Sequence, residues 1–169
     1  NIRSLQKLNF MKIIRSAKFN TARTKRYFLY RKWSEKPNAV WIMLNPSVAD
    51  EKHDDKTISK CLKFSKCWGH GGFYVINLCS DISTCPKKII KKLKINQKVD
   101  PVSLGYIKDV IKNNNNVIYC AWGFGISTPK WLSTILKNKR IKALELSKLG
   151  TPKHPLYLDS KLTPVKFIC

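Results

Sequence analysis

Acidic residues are scarce in this chain. Asp and Glu number 10 against 33 Lys and Arg in 169 residues, a formal net charge of +23, and no acid precedes Glu35. Self-repulsion of that size opposes a compact state and is relieved by a polyanion. Nucleic acid is therefore the first expected partner and an anionic membrane surface the second. Long apolar runs are also missing. A bilayer span needs roughly 18–20 apolar residues, and stretches such as 39–44 are the longest kind present, so no membrane segment is expected. The cysteines lack metal-site spacing. Cys61, Cys67, Cys79, Cys85, Cys120 and Cys169 contain no C-x-x-C, which argues against a zinc ribbon or iron–sulfur knuckle, and no metal site is expected. Most sit in apolar runs, the pattern of reduced thiols packed as small hydrophobes in a cytoplasmic protein. No signal peptide is expected.

What is present points to a folded domain. Hydrophobic residues make up 43% of the chain, with five Trp, six Tyr and seven Phe, which excludes global disorder. The length fits one core. Residues 1–25 read as a basic N-terminal arm, a lead-in with room for one short helix, and 26–169 as the folded domain. Strands are expected at 27–33, 39–44, 73–78, 117–122 and 141–146. Helices are expected at about 56–68, with Asp54 and Asp55 as N-cap candidates, at 86–94, from Pro101 to about 113, and from about 129 to 138. Short apolar strands alternating with helices imply α/β: a three-layer α/β/α sandwich around a mostly parallel four-stranded sheet. Ligands bind such sheets beyond the carboxyl ends of the strands. Those ends carry Asn45-Pro46-Ser47, Asn77, Trp122-Gly123 and His154-Pro155.

Taken in order, these strand ends resemble the uracil-DNA glycosylase superfamily. Met43-Leu44-Asn45-Pro46-Ser47 is similar to its first motif, G-Q-D-P-Y in the uracil-specific branch and G-I-N-P-G in the mismatch-specific branch. Tyr74-Val75-Ile76-Asn77 resembles its strand ending in a base-reading Asn, and Val117 to Gly123 its strand ending in Trp-Gly. His154-Pro155-Leu156-Tyr157-Leu158 resembles its late H-P-S-P-L motif. The chain also resembles a bacterial and phage domain family marked by L-N-P-S-x-A-D, D-D-x-T and H-P-L-Y, here Leu44 to Asp50, Asp54 to Thr57 and His154 to Tyr157. The resemblance spans about residues 26–160.

The resemblance implies a monofunctional DNA glycosylase that needs no cofactor and no obligate protein partner. His154 would donate to the departing base and Asn45 would position the water. Asn77 would read the base, with Pro46 and Ser47 shaping its pocket. Ser47 stands where the uracil-specific branch has Tyr, whose ring blocks groups on pyrimidine C5. The implied substrate is therefore a 5-substituted or mismatched pyrimidine, removed in repair or in defence against phage DNA. Leu158 falls at the wedge position, and Tyr157 is an alternative that would stack. Lys87, Lys88, Lys91 and Lys92 lie in a stretch, 82–99, without any acid, and form the expected phosphate-binding patch. Asp50 or Asp55 would supply an auxiliary carboxylate. Two rival functions remain at this stage: a non-catalytic nucleic-acid-binding module on the same fold, and a metal-dependent nuclease using Asp50, Asp54 and Asp55.

Overall fold

Every expected apolar stretch becomes a strand. The computed structural model describes residues 12–168. Its strands are β1 (Ile14–Phe19), β2 (Arg26–Lys32), β3 (Asn38–Met43), β4 (Gly72–Asn77), β5 (Val117–Cys120), β6 (Ile141–Ala143) and β7 (Val165–Lys166). Its helices are α1 (Lys56–Cys67), α2 (Pro86–Ile95), α3 (Pro101–Ile111) and α4 (Lys130–Leu136), with a 3₁₀ turn at Pro155–Tyr157. The strands form one sheet in the order β1-β2-β4-β3-β5-β6-β7.

The sheet corrects two expectations. It has seven strands rather than four, and it is mixed: β3 is parallel to β4 and β5, and β5 to β6, whereas β1–β2, β2–β4 and β6–β7 are antiparallel. Completely buried strands such as β3 read as apolar runs. The added edge strands β1 and β7 are partly to fully exposed and carry basic residues, so they lack that signal. The second correction concerns the basic arm. Ile14–Phe19 is an edge strand pairing with β2, so the folded sheet begins before residue 26. Residues 1–11, the rest of the expected arm, lie outside the described residues.

Helices cover both faces. Val40, Ile42, Ile76, Ile118 and Cys120 pack with Ile89 and Leu93 of α2, Ile107 and Ile111 of α3, and Leu132 and Leu136 of α4. On the opposite face Trp41, Met43, Phe73, Val75 and Tyr119 pack with Ile58, Cys61 and Phe64 of α1. Strand alternation explains the division, because successive residues of β3 face opposite layers. Trp41 and Tyr119 stack at 5.0 Å between ring centroids, and Trp68 joins them. His70 is half-buried and hydrogen-bonds the Tyr119 hydroxyl at 2.8 Å. Cys61, Cys67, Cys79 and Cys85 are free thiols. No helix among the described residues is long and apolar enough to cross a membrane.

The neighbouring acids Asp50, Asp54 and Asp55 part company. Asp55 caps α1, its carboxylate accepting from the Ile58 amide at 2.8 Å. Asp54 turns instead to Arg31, which is completely buried. Its Oδ1 takes Nε at 2.9 Å and NH2 at 2.8 Å, and the same oxygen is 2.8 Å from Arg15. Asp54 thus fastens β1 and β2 to the start of α1, and only Asp55 of the two candidates is a cap.

Candidate active-site pocket

A cavity of about 450 Å³ opens at the carboxyl ends of β3, β4 and β5, a size typical of small-molecule sites. Asn45, Ser47, Asn77, His154, Tyr157 and Leu158 all line it, although they come from three separate segments of the chain. Asp55 lines it as well, on the α1 side. Of the expected pocket residues, Pro46 does not line it. Pro46 is buried behind the loop, and its carbonyl accepts from the Asn45 side chain at 2.8 Å and the Ser83 amide at 3.0 Å. Its contribution is the shape of the loop that presents Asn45 and Ser47.

Asn77 is the last residue of β4. It is 2% exposed, and neither its Oδ1 nor its Nδ2 has a hydrogen-bond partner. Buried amides are nearly always paired, because an orphaned polar group costs about 1–3 kcal/mol. An orphan with both a donor and an acceptor, lining a cavity, is arranged for a ligand that offers the reverse pattern.

Asn45 is differently employed. Its Nδ2 donates to the carbonyls of Pro46 and Ser83, both at 2.8 Å. Both amide protons are therefore spent on holding the loop against the segment that leads to α2. The remaining Oδ1 is an acceptor, suited to orienting a water by taking one of its protons.

His154 is held by the loop after β6. Gly123 donates its amide to the Pro152 carbonyl at 2.9 Å, and Lys153 to the Glu145 carbonyl at 2.9 Å. Gly123 has φ of +85°, in the left-handed region, where a side chain is strained. The His154 Nδ1 accepts the Leu156 amide at 3.3 Å. That assigns the neutral tautomer with the proton on Nε2. Burial also pushes the imidazole pKa down, and the field of Asp55 opposes it. The ring is thereby set up as a neutral donor.

The rim is apolar. Phe124 and Tyr157 line the cavity and are 64% and 87% exposed. Leu158 packs partly onto the α1-side core, which leaves Tyr157 as the freer of the two wedge candidates. Pro86 and Ile90 of α2 also line the cavity, so α2 borders it. Lys87, Lys88 and Lys91 are exposed. Lys92, expected to act with them, forms an ion pair with Asp81. Asp50 is not part of the pocket. Its carboxylate accepts from the amides of Lys52 and His53, both at 2.7 Å, and these bonds pull its pKa down to about 2.

Two lining residues carry no signal in the sequence. Phe124 follows Trp-Gly as an ordinary loop aromatic. Arg26 begins a strand and is one basic residue among 33. It is 3% exposed, donates to the Ala49 carbonyl at 2.8 Å, and lines the cavity.

Fold and site together define an α/β protein with a mixed seven-stranded sheet and a pocket with a polar floor at its strand ends. Residues 26–156 match the model of a family described as protein of unknown function (DUF1643), and the chain belongs to that family. The matched segment contains every lining residue except Tyr157 and Leu158. No curated protein and no solved structure matches the chain.

Proposed function

We propose that this protein is a DNA glycosylase that hydrolyses the N-glycosidic bond of a flipped, 5-substituted or mismatched pyrimidine. The observation that carries the reading is Asn77. Its buried, unpartnered amide fits the paired carbonyl and N–H that uracil-like bases present side by side. Around it stand the other groups the reaction requires. In the transition state negative charge collects on the departing base, and a neutral His154 donating from Nε2 stabilises it without surrendering its proton. Positive charge collects on the sugar, and Asn45 Oδ1 aligns the attacking water. An amide is a weak base, so this water is positioned more than activated. Asp55 lies in the same cavity as the nearest carboxylate candidate, although its cap on α1 occupies it.

Flipping a base costs a few kcal/mol and leaves a gap in the stack. Tyr157, exposed at the rim beside Phe124, is suited to filling it. Lys87, Lys88 and Lys91 on α2 supply phosphate contacts next to the mouth. Ser47 supports a 5-substituted substrate, because a small side chain lines the pocket where an aromatic ring would close it.

The test is incubation with oligonucleotides carrying uracil, thymine mispairs and 5-substituted pyrimidines, with mass analysis of released bases. Release from at least one duplex, reduced about 10²-fold or more in His154→Ala and Asn45→Ala while DNA binding persists, is expected. Wild-type rates in both variants would show that these residues do not form the catalytic pair.

A further inference from the structure

We propose that Arg26 selects the ligand of this pocket, and that the ligand is a pyrimidine whose C5 substituent ends in an anionic oxygen group, a carboxylate above all. The proposal rests on the reading of the cavity as a pyrimidine site.

Arg26 reaches the cavity through a β-bulge. In the β1–β2 ladder Lys18 pairs with Phe28 and Phe19 with Arg26, so Tyr27 is the extra residue. Tyr27 and Phe28, neighbours in sequence, both meet the ring of Tyr106 on α3. The alternation of the strand is thereby broken, and Arg26 falls on the face of Leu29 and Arg31, toward α1 and the pocket. Bulges of this kind re-aim side chains beside functional sites.

The same strand holds a control. Arg31 is also completely buried, and its guanidinium is satisfied by Asp54 and by the carbonyls of Tyr30, at 2.8 Å, and Asp50, at 2.6 Å. The Arg26 side chain makes one hydrogen bond, to the Ala49 carbonyl, its Nε has no partner, and no carboxylate lies within ion-pair distance of it among the described residues. Burial lowers its pKa to about 10, with the field of Asp55 in the same cavity opposing the shift, which still leaves the group charged at neutral pH. A buried charge with no carboxylate in contact is costly, and an anion brought in with the ligand reduces that cost.

Uracil and thymine do not supply one. In the proposed pose His154 and Asn77 take the ring carbonyls and the N–H, and the C5 edge carries only hydrogen or methyl. The guanidinium is anchored on Ala49, two residues beyond Ser47, and so belongs to the loop that faces that edge. A 5-carboxylate would meet it as a charge-assisted pair in the planar geometry arginine favours.

The experiment is calorimetric titration of the full chain with free 5-carboxyuracil, uracil and thymine, beside base release from matched oligonucleotides. The carboxylated base is expected to bind about tenfold or more tightly than thymine. Arg26→Gln should erase that difference with thymine binding retained, and Arg26→Lys should keep part of it. Circular dichroism checks that the variants fold. Should Arg26→Gln fail to fold, the wild-type preference and Arg26→Lys carry the test. Equal binding of the three bases by the wild type, or a preference that survives in Arg26→Gln, overturns the proposal. Carboxyuracil bound through Arg26 with no base released from any oligonucleotide would leave the proposal standing and sink the glycosylase reading. Bases released at rates indifferent to the C5 group would do the reverse.

Discussion

The side chains that decide this pocket divide into those spent on structure and those left over. Asp54 belongs to the first kind. Replacing it with Ala removes the one carboxylate, among the described residues, that pairs with the completely buried Arg31, and breaking a buried pair from one side typically costs about 3–5 kcal/mol. Because Arg31 keeps its carbonyl partners, Asp54→Ala should fall near the low end, about 3 kcal/mol, measured by urea unfolding. A loss below about 1 kcal/mol would mean that the carbonyls alone satisfy the guanidinium. His154 belongs to the second kind, and its protonation state is testable. Its pKa is lowered from 6.5, and the neutral ring is the one whose Nδ1 accepts from Leu156. Protonation adds a proton at Nδ1 and breaks that bond. The rate of base release should therefore stay level as the pH drops from neutral through 6.5, and decline only below the lowered pKa of His154. A pH–rate profile that climbs toward pH 5 would identify the imidazolium as the donor instead.

At the scale of elements, α2 is the one whose role can be separated from the chemistry. It has a buried face at Ile89 and Leu93 and an exposed face of lysines. Each neutralised phosphate contributes about 0.9 to the slope of log K against log salt on duplex DNA. Changing Lys87, Lys88 and Lys91 together to Ala should flatten the slope by about 2–3. Lys92→Ala should change it little, because Asp81 already neutralises Lys92. Equal slopes for the triple variant and wild type would place DNA on another surface. The contrast between Lys92 and its neighbours was not legible in the sequence, since Asp81 lies in a loop eleven residues upstream. What was legible follows a physical rule. Strands buried on both faces are nearly continuously apolar, so β3, β4 and β5 could be read directly, and with them the strand ends that carry Asn45 and Asn77. Arg26 could not be read, because a bulge is a backbone event that leaves no mark in the alternation of residue types. Nor could the sorting of Asp54 from Asp55, where one residue of offset decides between an ion pair with the core and a helix cap. The edge strands were missed for a similar reason, as short basic strands resemble a solvated arm.

At the scale of the whole molecule, charge is the dominant feature. Among the described residues six of the ten acids, Glu35, Glu51, Asp54, Asp81, Asp100 and Glu145, already pair with Lys or Arg. Most of the 33 cations therefore have no carboxylate to meet, and their mutual repulsion is carried by the folded state. A polyanion that binds only the folded chain should stabilise it by mass action, about 2.7 kcal/mol at a hundred times its Kd. For a domain of this length that corresponds to a rise in Tm of roughly 5–10 °C. Duplex DNA is expected to produce that rise at low ionic strength and to lose most of it by about 0.5 M salt, where the Debye length is only a few ångströms. Heparin separates the two contributions. If the rise comes from relief of repulsion alone, heparin matches DNA, and the triple lysine variant of α2 responds to both alike. If the pocket also engages a flipped base, DNA carrying the substrate pyrimidine should retain part of its stabilisation at high salt. Asn77→Ala should abolish that salt-resistant part while leaving the heparin response intact. Identical salt curves for heparin, plain duplex and substrate duplex would reduce the partnership to charge and remove the pocket from DNA recognition.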